Sequence, residues 1–146
     1  MRITAQMLDD LGNALRGAPA CFVAEDEAER FHVGAVWHGD WRHNDGERSF
    51  GTEEKPKHNA AIARKNKPRT IFRLCPITSR RRGKRHALRL PAGMVPGGKY
   101  TESYLLARIQ LIARRDTLSG RFSYKCSLPA DVVRSMKELM SHGQQG

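Results

Sequence analysis

Thr78 and Ser79 close an apolar run, Ile71 to Ile77, that is broken only by Arg73. The next six residues, Arg80-Arg81-Arg82-Gly83-Lys84-Arg85, carry five positive charges, and apolar residues resume at Ala87, Leu88 and Leu90. The stretch reads as strand, hydroxyl pair, cationic loop, strand. Two hydroxyl donors beside a cluster of guanidinium and ammonium groups can hold a phosphodiester, because charged donors make the stronger hydrogen bonds to phosphate oxygens. The same residues also fit an ordinary strand end followed by a solvated basic hairpin tip.

The charge around this stretch is segregated. The 146-residue chain has a formal net charge of +11, and residues 55 to 89 hold 13 of its 26 Lys and Arg with no Asp or Glu. The remainder has 13 basic and 15 acidic residues. A segregated basic surface points to a polyanion, because neutralising phosphates releases counterions. Nucleic acid is the first candidate. A membrane surface fits less well, since no strongly amphipathic basic helix accompanies the charge. A soluble basic protein without a polyanion partner is the plainer alternative. Cys21, Cys75 and Cys126 are odd in number, widely spaced and free of any CxxC pattern, which fits a reduced, cytoplasmic setting. No signal peptide is expected, and no stretch nears the length of a membrane-spanning helix.

The elements that must position these groups follow from periodicity. Ile3, Met7, Leu11 and Leu15 predict a helix over 3–16. The acidic run Glu25 to Glu29 reads as a surface linker. Phe31 to Trp37 predicts a strand, residues 38–58 a long polar loop, and His58 to Ala63 a second strand. Residues 104–113 alternate as one half-buried strand, with a helix as the alternative. Asp116 to Gly120 reads as a turn, and Phe122, Tyr124 and Cys126 alternate along a strand. Ser127 and Pro129 open a last helix with Val132 or Val133, Met136, Leu139 and Met140 on its apolar face. The chain divides into residues 1–30, a helix and acidic linker, and residues 31–146, the main domain. The class is mainly β with α: a small, mostly antiparallel barrel or half-barrel, with a C-terminal helix and an extra N-terminal one.

The ordered set of Gly34-Ala35-Val36-Trp37, Gly51-Thr52-Glu53, the strand ending in Cys75 to Ser79, Leu105 to Arg115, and Leu128 to Val133 resembles the MazF/PemK family of toxin endoribonucleases, of CcdB/PemK-like fold. The resemblance covers about residues 31 to 142. It implies an SH3-like, PemK-type barrel, a homodimer, metal-independent cleavage of single-stranded RNA, no cofactor, and a cognate antitoxin. Thr78 and Ser79 match the family's hydroxyl at the end of the third strand. Its arginine before the second strand falls on His58, with Lys57 beside it. Glu53 matches a loop acid. The carboxylate that some members carry on a later strand has no counterpart in Tyr104 to Arg108.

Cleavage of RNA through the 2′-hydroxyl needs a base, a cation near the developing charge, and an acid for the leaving oxygen. His58 could be base or acid, because an ordinary imidazole titrates near neutrality. Glu53 could act as base or orient His58. Lys57, Arg80, Arg81, Arg82, Lys84 and Arg85 could contact the RNA backbone. Trp41 could stack an unpaired base or pin its own loop. His38, His43, Asp40 and Asp45 match no standard metal spacing, so no metal is expected. A non-catalytic nucleic-acid-binding module, and a protein-targeting toxin of the same fold, are the competing functions.

Overall fold

The computed structural model describes residues 21–79, 87–96 and 102–145. The expected helix at 3–16 and the cationic loop 80–85 lie outside the described residues. Among the described residues seven strands form one antiparallel sheet: β1 Ala35–Asp40, β2 Lys57–Lys65, β3 Ile71–Thr78, β4 Ala87–Leu90, β5 Ser103–Leu106, β6 Leu111–Arg114 and β7 Ser123–Ser127. Among the described residues two α-helices pack with it, α1 Arg115–Arg121 and α2 Ala130–Gln145. The order is β4-β5-β3-β2-β1-β7, with β6 also paired to β3.

The central strands bury both faces, so their sequences lose the simple alternation of a half-buried strand. Ala61 and Ala63 of β2 and Cys75 and Ile77 of β3 face a core closed by Met136 and Met140 of α2. Ala60, Ile62, Phe72 and Leu74 face a second core with Phe31, Trp41, Leu118 and Phe122. The expected stripe of the last helix is therefore its packing face.

Several expectations change. The acidic stretch is no linker: Asp26 accepts from the Ala28 amide and caps a 3₁₀ turn, Glu27–Phe31, whose last residue is buried in the second core. The single strand expected over 104–113 is two, β5 and β6, both on the same edge of β3. Leu74 pairs with Leu111 and Ile77 with Leu105, so the ladder breaks opposite Cys75 and Pro76. Proline has no amide hydrogen to give a ladder there. The stretch expected as a turn at 116–120 is α1. β3 and β4 are not a hairpin, because β5 lies between them.

Two glycines are set by close approach. Gly34 has φ +99°, and a β-carbon there would lie 2.7 Å from Val133 Cγ2 on α2. At Gly39 a β-carbon would run into the Phe122 ring. Cys75 is buried, and burial pushes its thiol up to about 12. Cys126, expected as a buried apolar side chain, is buried in the first core and lies beside Cys21, with Cα atoms 6.2 Å apart.

Candidate functional site

An antiparallel hairpin necessarily brings the start of its first strand beside the end of its second. In β2 and β3, Asn59 pairs with Ile77, so Lys57, His58 and Asn59 stand next to Ile77, Thr78 and Ser79 although about 20 residues separate them in sequence. A cleft of about 130 Å³ opens at this end. β1 adds His38, directly opposite Asn59, and the start of β5 adds Ser103. Lys55 and Pro96 close it from two loops.

The sequence-derived residues His58, Thr78, Ser79 and Lys57 thus meet in one cleft. Thr78 is 5% exposed, whereas Ser79 is exposed. The Lys55 ammonium donates to Ser79 Oγ at 3.0 Å. That bond occupies an acceptor site on the hydroxyl and leaves its hydrogen to donate elsewhere. Neither Lys55 nor Lys57 is in an ion pair among the described residues. His58 is half-buried; its Nε2 lies 3.0 Å from the Lys55 carbonyl, and Phe50 meets its ring edge-on at 4.9 Å. Burial, first, and then the Lys55 charge lower its pKa, against the raising pull of the Lys55 and Ile77 backbones.

Other expectations are corrected. Trp41 is 0% exposed and stacks on Phe122 with ring centroids 4.1 Å apart, so neither face is open to a base. Its Nε1 donates to the His58 carbonyl at 2.9 Å, which makes it a support for the cleft strand. Glu53 is exposed and does not line the cleft. Its charge acts on Arg42, and no hydrogen bond joins it to His58. Arg80, Arg81, Arg82, Lys84 and Arg85 lie outside the described residues.

The groups considered for a metal are dispersed. Asp40 binds Arg42 through both oxygens, at 2.9 and 2.7 Å. Asp45 accepts from the Arg114 amide at 2.7 Å, and His38 turns to Asn59. No group of three or more His, Cys, Asp or Glu side chains gathers among the described residues. The Arg42 guanidinium holds the Asp40 carboxyl down at about 2, against 3.8 ordinarily. Because the folded value is the lower one, the pair stabilises fully above about pH 4 and loses that contribution as pH falls toward 2. Urea melts of wild type and Asp40→Asn should therefore differ most at pH 6, and the difference should shrink steadily from pH 4 down to pH 2.

The basic segment has two ends. Lys55 and Lys57 mark the cleft, whereas Arg64, Lys65, Lys67 and Arg69 lie at the far turn, roughly 25 Å away along a nine-residue strand. There Lys65 Nζ approaches His32 Nδ1 at 2.9 Å. Burial and the neighbouring Arg69 and Lys137 charges lower Lys65, while burial, Lys65 and Arg69 lower His32. Sequence reasoning missed Lys55, His38 and Asn59 as cleft residues. Lys55 and Lys57 flank Pro56, and that doublet was a usable signal; nothing local marks His38 or Asn59.

No family model matches the sequence, and no curated protein matches it. In three dimensions the chain is similar to a crystal structure of MazF from Deinococcus radiodurans, with a TM-score of 0.51 and 18% identity over 78% of this chain and 96% of that one. The chain has a MazF-like fold: an antiparallel, mainly β sheet with a C-terminal helix. No helix among the described residues is long and apolar enough to cross a membrane.

Proposed function

We propose that this chain is a toxin-type endoribonuclease that cleaves single-stranded RNA without a metal, works as a homodimer in the cytoplasm, and is blocked by a cognate antitoxin. The observation that carries this reading is the cleft at the open end of the β2–β3 hairpin, where Lys55, Lys57, His58 and Ser79 converge. A phosphodiester lying there meets two ammonium groups that no carboxylate pairs with among the described residues, and a hydroxyl whose hydrogen is free to donate. The developing negative charge on the phosphate is offset by Lys55 and Lys57, and Ser79 Oγ donates to a non-bridging oxygen. Thr78, buried beside Ser79, holds the strand end. Burial disfavours the His58 imidazolium and the Lys55 and Ile77 carbonyls offset part of that, so it is the negative charge of the bound substrate that must draw the ring into its charged form. His58 then gives a proton to the leaving 5′-oxygen.

Purified protein incubated with a long single-stranded RNA in EDTA should produce fragments ending in 2′,3′-cyclic phosphate and 5′-hydroxyl. Ser79→Ala together with Lys55→Ala should abolish them. RNA left intact at enzyme excess overturns the reading. Salt-dependent binding to that intact RNA would instead support a non-catalytic binding module, which fits the histidine standing where the resemblance places an arginine.

A further inference from the structure

Transphosphorylation needs a second proton carrier, one that takes the 2′-hydroxyl proton while another group serves the leaving oxygen. The hydrogen bonds around His38 form an ordered chain. The Pro96 carbonyl can only accept, so Asn59 donates to it through Nδ2 at 2.8 Å. That turns Asn59 Oδ1 toward His38 Nδ1, 2.9 Å away, and an amide oxygen also only accepts. His38 Nδ1 therefore carries the hydrogen, and the neutral ring keeps its lone pair on Nε2. His38 and Asn59 face each other across the β1–β2 ladder, so the backbone register holds the pair. The His38 ring lines the same cleft as Lys55, His58 and Ser79.

We infer that His38 is a catalytic base of this cleft, with Asn59 its positioning residue and the Pro96 carbonyl the fixed end of the chain. The inference rests on the ribonuclease reading above and adds a residue to it. In the step, the 2′-oxygen bonds to phosphorus as its proton passes to His38 Nε2. The bond from phosphorus to the 5′-oxygen breaks, and that oxygen takes the His58 proton. The products are a 2′,3′-cyclic phosphate and a 5′-hydroxyl, with no redox change. One histidine begins neutral and ends charged, and the other does the reverse.

The test combines activity with ring spectroscopy on the full chain. Single-turnover cleavage by His38→Ala should fall about 10²- to 10⁴-fold. Binding of a non-cleavable RNA with 2′-deoxy sugars should change less than about threefold, and the thermal midpoint should hold. Long-range ¹H–¹⁵N spectra at neutral pH should show His38 protonated at Nδ1. Asn59→Ala should mix the two tautomers and slow cleavage about tenfold while the protein stays folded. If wild type cuts RNA and His38→Ala cuts equally fast, His38 is not the base and the ribonuclease reading stands. If the spectra show the Nε2–H tautomer, the inference falls in any case. If wild type does not cut, both fall together.

Discussion

Trp41→Ala is expected to destabilise this protein by about 3–5 kcal/mol, the range for removing a fully buried aromatic side chain. Trp41 is completely buried, stacks on Phe122 at 4.1 Å, and satisfies the His58 carbonyl with its indole N–H. Total stabilities of single domains run at roughly 5–15 kcal/mol, so the loss is a large part of what is present. A thermal midpoint lower by roughly 10–20 °C is the expected reading in a melt. Trp41→Phe separates the two contributions. It keeps most of the stacking and leaves the His58 carbonyl short of a donor, for about 1–3 kcal/mol. A base-stacking Trp41 would behave differently: Trp41→Leu would weaken RNA binding by about 1–3 kcal/mol even under conditions where the variant is folded. Unchanged affinity of folded Trp41→Leu for a non-cleavable RNA is the expected result.

The mainly β class, β3, β4, β7 and the last helix were legible because each has a periodic apolar face or sits between strong punctuating residues. Met136 and Met140 fall where a 3.6-residue period puts them, and both are buried. What was not legible depends on partners distant in sequence. Alternation continues across residues 104–113, and only the strand opposite shows where the ladder must break. Pro76 was the available signal, since a proline inside a central strand asks for a gap on one side. The hairpin expected from Ile71 to Leu90 failed for a topological reason: a basic loop between two apolar runs does not show that a third strand inserts between them. Trp41 is a comparable case. Its neighbours are polar, so it reads as a loop aromatic, yet Gly39 leaves room for the Phe122 ring, and Trp41 stacks inward on that ring.

The candidate site divides in the same way. Thr78, Ser79 and His58 were visible because they end or begin strands beside a charge run. His38 and Asn59 come together only through the β1–β2 register, and Lys55 reaches Ser79 only because the loop before β2 folds back over the end of β3. Glu53, two residues from Lys55, was weighted by the resemblance alone, and the fold turns its charge toward Arg42.

Lys55→Ala should cost more activity than any other single lysine substitution in the described basic segment. Its ammonium is the cleft cation with a defined contact, the 3.0 Å bond to Ser79 Oγ, and its carbonyl also fixes the His58 ring. Removing the side chain takes away the charge held on Ser79 and frees that hydroxyl to rotate, but leaves the carbonyl in place. Loss of one donor aimed at developing charge costs about 10²- to 10³-fold in rate. Binding should suffer less. Each phosphate contact to a single strand contributes about 0.7 to the slope of log affinity against log salt, so Lys55→Ala should lower that slope by about that amount. Lys65→Ala, at the far turn roughly 25 Å from the cleft, changes binding and its salt slope if RNA reaches that end, and leaves the rate at saturating RNA intact. Measuring single-turnover rates and salt-dependent affinities for both variants separates a lysine that stabilises the reaction from one that only gathers RNA. Equal rate losses at both positions would show that charge acts here as a general field, and that the cleft around Ser79 is not where the phosphate reacts.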